Sequence, residues 1–226
     1  MEKTLIVGDV HGCSDELDRL LEVAEWRRGE RRLIFVGDLI NKGPDSFGVL
    51  ERAREYGGLT ILGNHEAAFL RYVRQGRFGH AHFDELRERM GSDLIDWISH
   101  IQSFPLYHEE EDLIVVHAGL HPTLPLSKTP GKILTRIRTW DGEGRNLDDE
   151  SQPPWFELYR RTKLVVYGHW ARRGLTLREH TIGLDSRCVY GNQLSGLLLP
   201  ERRLIQVQAA EMYVIPTDLP DEMNRT

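Results

Sequence analysis

Five short apolar runs in this chain each stop on a polar cluster: "TLIV" before Gly8-Asp9, "RLIFV" before Gly37-Asp38, "LTIL" before Gly63-Asn64-His65-Glu66, "DLIVV" before His117, and "KLVVY" before Gly168-His169. Runs of four or five residues, rich in Val, Ile and Leu and bounded by glycine, read as buried strands, too short for helices. Between the first two runs, "SDELDRLLEVAEWRR" (14–28) puts Leu17, Leu20, Leu21 and Ala24 on one helical face, with Ser14 as a candidate N-cap. Residues 46–56 have similar helical character. Strand, polar turn, helix and strand in alternation predict an α/β fold, and in open α/β sheets ligands collect beyond the carboxyl ends of the strands. All five polar clusters sit at that end.

The rest of the chain is read around this frame. The segment "TIGLDSRCVYGNQLSGLLLPERRLIQVQA" alternates strand-like runs with turns at Gly191-Asn192 and Pro200-Glu201, which predicts antiparallel strands completing a second sheet. Residues 67–104 are helical in pattern, and 121–155, rich in Pro, Gly and acidic residues, read as a mobile loop. With 226 residues, 40% of them hydrophobic, the chain can bury one sizeable core. We therefore expect a single domain over 1–216, with 67–104 as a helical cap region and 217–226 as a polar tail.

Charge and cysteine content narrow the function classes. A formal net charge of -6 disfavours general nucleic-acid binding, which depends on basic groups displacing counterions. The two cysteines, Cys13 and Cys188, form no CxxC pattern and suit a reducing compartment. No apolar stretch approaches the roughly 20 residues of a membrane span, and the first run is too short for a signal sequence. A cytoplasmic location is the expectation.

The strand ends supply Asp9, His11, Asp38, Asn64, His65, His117 and His169. Alone, a Gly-Asp after a strand is usually a turn, and a histidine such as His117 more often belongs to the core. Chance would scatter such residues to both ends of the strands, so five clusters at one end point to one site. Imidazole mixed with carboxylate favours Mn, Fe, Co or Zn over calcium, and a carboxylate such as Asp38 can bridge two ions roughly 3.5–4 Å apart, an arrangement suited to phosphoryl displacement.

In order, "GDVHG" (8–12), "GDLINKGP" (37–44), "GNHE" (63–66), "HAGL" (117–120) and "GHW" (168–170) resemble the signature blocks of the PPP-type calcineurin-like metallophosphoesterases. The match runs from residue 5 to about 207. Protein phosphatases of that family carry Asp and Arg where this chain has Asn41 and Lys42. That departure, together with "GLDSRCVYGNQLSGL" (183–197), is similar to the ApaH-like phosphatase branch, close to the bacterial symmetrical diadenosine tetraphosphatases.

The resemblance implies a four-layer αββα sandwich with a small helical cap. It also implies two divalent transition metal ions, manganese foremost with Co, Fe or Zn as alternatives. Asp9 and His11 would hold the first ion, Asp38 would bridge, and Asn64, His117 and His169 would hold the second. A bridging hydroxide would attack phosphorus in line while His65 protonates the leaving oxygen. Glu66 would steady the turn. Lys42 would set a point charge against substrate phosphate where an arginine would clamp two oxygens, and Arg138 in "LTRIRTW" would be a second phosphate contact.

Asn41 would accept a hydrogen bond from His65 without the charge of an aspartate, leaving His65 with a lower pKa. The implied activity is hydrolysis of a small-molecule nucleotide, a dinucleoside polyphosphate, with diadenosine tetraphosphate cut to two ADP. The rival is removal of phosphate from phosphoserine, phosphothreonine or phosphotyrosine in a phosphoprotein. Arg71, Arg74 and Arg77 read as a solvated helix face, with extra phosphate contacts as the alternative; Tyr72, Phe78 and Trp140 are weaker candidates for stacking a base.

Overall fold

The computed structural model describes residues 2–216, so the tail expected over 217–226 lies outside the described residues. In chain order the strands are β1 (Thr4–Val7), β2 (Arg32–Phe35), β3 (Leu59–Thr60), β4 (Tyr107–Glu109), β5 (Leu113–Val116), β6 (Leu164–Tyr167), β7 (Thr176–Leu177), β8 (Thr181–Gly183), β9 (Gln193–Leu199) and β10 (Arg203–Gln208). The α-helices are α1 (Ser14–Val23), α2 (Ser46–Glu55), α3 (Asn64–Arg74), α4 (Ala81–Met90), α5 (Leu94–Gln102) and α6 (Gly131–Arg136). The strands form two five-stranded sheets, ordered β10-β9-β1-β2-β3 and β4-β5-β6-β8-β7.

Period-two burial explains why the sheets stack. In β1 and β2, Leu5, Val7, Leu33 and Phe35 face the helices, while Ile6 and Ile34 face the other sheet. In β5 and β6, Leu113, Val115, Leu164 and Val166 face back towards them, and Ile114, Val116, Val165 and Tyr167 pack outward against α6 and Trp155. Strands apolar on both faces must be covered twice, and the result is helices, sheet, sheet, then α6 with its flanking turns. The five predicted runs are β1, β2, β3, β5 and β6. The pairs β1–β2, β2–β3 and β5–β6 are parallel, so their carboxyl ends share a direction within each sheet.

Three expectations change in detail. The C-terminal hairpin β9–β10 does not complete the second sheet: β9 pairs antiparallel with β1, Thr4 opposite Leu199, and extends the first. Leu194 and Leu198 of β9 face the helices and Leu197 and Leu199 the opposite sheet, so its own pattern is compatible with either sheet. At α1, Ser14 is the first helical residue and Cys13 holds the N-cap position without a side-chain cap. The segment 121–155 contains α6 and buries Ile133, Leu134, Leu147 and Trp155, apolar anchors that its Pro and Gly content obscures. Over 67–104, the helices are present and share the core of α1 and α2 through Phe69, Phe83, Leu86, Met90, Trp97 and Ile101.

Candidate active site

The site is built on backbone that few residues tolerate. Six of the eight non-glycine residues with positive φ among the described residues are His11, Asp38, Asn41, Lys42, His169 and Arg187. Left-handed backbone at such residues costs of order 1–3 kcal/mol each and persists only where the surroundings fix it. Glu66 does much of the fixing. Its carboxylate, fully buried, accepts from the backbone N–H groups of Asp38 (2.9 Å), Leu39 (2.8 Å), Ile40 (3.3 Å) and Gly63 (3.0 Å), joining the turn after β2 to the start of α3. Burial and the Asp38 carboxylate push Glu66 up to about 7, against the pull of those donors.

Two glycines are required by the carboxylates they touch. A Cβ on Gly63 would collide with Asp38, and one on Gly168 would collide with Asp9. Asp38 Oδ1 accepts from the His65 N–H at 2.9 Å in the first turn of α3, where a helix end favours negative charge. Its Oδ2 is left facing His117 Nε2 at 3.4 Å, and His11 Nε2 and His65 Nε2, both at 3.8 Å. Burial alone would raise Asp38, but the surrounding histidines, His117 foremost, hold it well below the ordinary carboxylate range.

Three rings turn their ligating nitrogen towards one centre, because backbone carbonyls occupy the other nitrogen. His11 Nδ1 donates to Ile40 O at 3.0 Å, His117 Nδ1 to Val36 O at 2.9 Å, and His169 Nε2 to Arg136 O at 3.2 Å. This leaves His11 Nε2, His117 Nε2 and His169 Nδ1 inward, and Asn64 Oδ1 lies 2.9 Å from His117 Nε2 and 2.7 Å from His169 Nδ1. A ring tautomer fixed by an outer carbonyl is how proteins prepare histidine for a metal. The potential ligand atoms of His11, Asp38 and His65, and of Asp38, His117 and His169, form two groups sharing Asp38. Asp9 stands outside both, its two oxygens accepting from His169 N–H at 3.1 and 3.0 Å.

The electrostatics reflect how many ionisable groups the site buries. Burial, then Asp185, raises Asp9 well above its usual range, and burial raises Asp185 itself. His117, despite its burial, is pushed up to about 9 by Asp38, whereas burial drives His11 and His169 well down. Three buried carboxylates among inward-facing imidazoles are a donor set that divalent transition ions fit, each ion neutralising the charge that burial disfavours.

The leaving-group residues differ from expectation in one respect. Asn41 does not accept from His65: its Nδ2 donates to His65 Nδ1 at 2.7 Å, which keeps the ring proton on Nε2. Burial first, with Lys42 adding to it against the pull of Asp38, lowers His65 to about 4. Lys42 Nζ lies 3.3 Å from His11 Nε2 and over the Tyr190 ring at 5.1 Å.

A cavity of about 210 Å³ opens over the cluster, lined by His11, Asp38, Lys42, Asn64, His65, Arg138 and His169 among others. Arg138, expected from sequence as a phosphate contact, lines the cavity and is paired with Asp148. The sequence reading missed Asp185, Arg187 and Tyr190, which also line it; their only signal was the "GLDSRCVYGNQ" block read as a whole. Arg71, Arg74 and Arg77 face solvent. Tyr72 is buried on Asp84, Phe78 lies under Arg87, and Trp140 packs on His121; none of the three lines the cavity, and Tyr190 and Trp170 are the aromatics that do.

The model of the calcineurin-like phosphoesterase family matches residues 2–173. The chain belongs to that family. It is a hydrolase, and family membership together with the clustered His and Asp groups implies divalent metal ions. Among curated relatives, the symmetrical bis(5'-nucleosyl)-tetraphosphatase of Dechloromonas aromatica is 27% identical over 94% of this chain and 98% of its own length. Its namesake from Legionella pneumophila strain Corby is 30% identical over 89% and 95%. A solved structure of a candidate diadenosine tetraphosphatase superposes with a TM-score of 0.82 at 34% identity, covering 92% of this chain and 94% of that one. A Saccharomyces cerevisiae protein serine/threonine phosphatase, 18% identical with a TM-score of 0.54, covering 97% and 82%, shares the fold.

Two outcomes follow from this geometry. Glu66→Ala removes the acceptor of four backbone N–H groups and should cost at least about 2 kcal/mol in denaturant unfolding, with loss of activity; a variant of wild-type stability and turnover contradicts the clamp. In metal-free protein followed by NMR, the lowered His65 pKa means its ring stays neutral at neutral pH and protonates only as pH falls towards about 4. A midpoint at or above the ordinary 6.5 contradicts it.

Proposed function

We propose that this chain hydrolyses dinucleoside polyphosphates in the cytoplasm, cutting diadenosine tetraphosphate to two ADP with two divalent ions, manganese foremost. One observation carries the metal-hydrolase reading: three imidazoles, each pinned through one nitrogen to a backbone carbonyl, turn the other towards the Asp38 and Asn64 oxygens. In this reading Asp9 and His11 would hold one ion, Asn64, His117 and His169 would hold the other, and Asp38 would serve both. The ions supply charge neutralisation at the scissile phosphate and a lowered pKa for the attacking water.

The nucleotide reading rests on the names of the relatives and on the state of His65. Lys42 and Arg138 line the cavity, and in this reading they hold phosphate oxygens. With Asn41 donating to Nδ1, His65 offers an uncharged Nε2–H to the departing oxygen. A neutral donor is a weak general acid. It suffices for a nucleoside diphosphate, which departs from an anhydride as a stabilised anion, but serves a serine alkoxide poorly.

The test compares kcat/KM in manganese for diadenosine tetraphosphate and for a phosphoserine peptide, with products identified. The anhydride should be preferred and ADP should be the nucleotide product. Asn41→Asp with Lys42→Arg, restoring a carboxylate behind His65, should narrow the gap by improving monoester hydrolysis. A wild type that already favours the phosphopeptide, or a double variant shifted further towards the anhydride, overturns the substrate reading.

A further inference from the structure

A second cavity, about 300 Å³, adjoins the first and shares Asn64, Arg138, Asp148 and His169 with it. It excludes His11, Lys42 and His65, so it leaves the cluster by the Asn64–His169 edge. Its remaining wall carries Lys132, Arg136 and Arg145. Arg138 is paired with Asp148 and Arg145 with Glu143, but neither Lys132 nor Arg136 has a carboxylate within ion-pair distance among the described residues.

These two cations are spaced i, i+4 on α6, and like charges at that spacing disfavour the helix that carries them. The chain is acidic, with a formal net charge of -6, so carboxylates to balance them are plentiful elsewhere. The carbonyl of Arg136 also accepts from His169 Nε2, which fixes the end of α6 to a ring of the cluster. An unbalanced positive wall, held in register with the hydrolytic centre and open to it, suits an anion longer than one phosphate.

Building on the dinucleoside polyphosphate reading, we propose that this groove is a polyphosphate subsite. Lys132 and Arg136 contact the phosphates of the substrate half that keeps the attacked phosphorus, while the departing half leaves beside His65 and Lys42. Substrates with a single phosphate do not reach the groove.

The test measures competitive inhibition of p-nitrophenyl phosphate hydrolysis by tripolyphosphate and by orthophosphate at fixed free manganese. Wild type should bind tripolyphosphate more tightly than orthophosphate. In Lys132→Ala/Arg136→Ala, the ratio of the two inhibition constants should fall by about tenfold, as expected for losing charge-assisted phosphate contacts. Lys132→Arg should retain the selectivity. Direct calorimetric titration of both anions gives the same comparison without turnover. An unchanged ratio in the double variant overturns the subsite. The comparison is independent of the substrate reading: if wild type leaves diadenosine tetraphosphate intact while the double variant still loses tripolyphosphate selectivity, the groove stands and the nucleotide assignment falls.

Discussion

Glu66 is a carboxylate with no exposed surface, and it can be there because four backbone N–H groups point at it. Those donors come from the turn after β2 and from the residue before α3, so one side chain welds two neighbouring strand ends together. Removing it would leave four buried donors unmatched, a cost no nearby group can absorb. The weld holds Asp38 at φ 52°, with one oxygen on the first turn of α3 and the other facing three histidines. Each later feature of the site depends on where that second oxygen points.

Around it, the fold concentrates charges that would repel one another in isolation. Asp9, Asp38 and Asp185 are all buried at the carboxyl edge of the sheets, and the rings facing them are set by carbonyls after β2 and at the end of α6. The apolar runs behind them, Ile6, Ile34, Val115 and Val166 between the sheets, keep water away from that side. Binding energy for cations is thereby stored in desolvated carboxylates, while Lys42, Arg138, Lys132 and Arg136 spread positive charge along the open side. An acidic chain thus carries a positive rim beside its buried carboxylates.

Much of this was legible before any coordinates. A short Val/Ile/Leu run ending on a ligand-type residue carries both the strand and the position of its polar end, so β1, β2, β3, β5 and β6 could be placed, and with them the ends that bear Asp38, His65, His117 and His169. The pairing of β9 could not, since both its faces are apolar and its partner, the open edge of β1, is a tertiary choice. The direction of the Asn41–His65 bond was also beyond the sequence, because an amide can donate or accept. Asp185, Arg187 and Tyr190 converge on the cavity from one irregular turn, with Arg187 at φ 65°, a conformation no periodicity announces. Lys132 and Arg136 look like any solvated helix face until α6 is seen against His169.

The central claim is that these strand ends form one centre for two ions bridged by Asp38. Anomalous diffraction at the manganese edge from crystals of manganese-loaded protein addresses it directly. The account predicts two peaks flanking the Asp38 carboxylate, one beside His11 Nε2 and one beside His117 Nε2, His169 Nδ1 and Asn64 Oδ1. A single peak away from Asp38, or manganese found only at the buried Cys13–Glu16–Cys188 group, would contradict it.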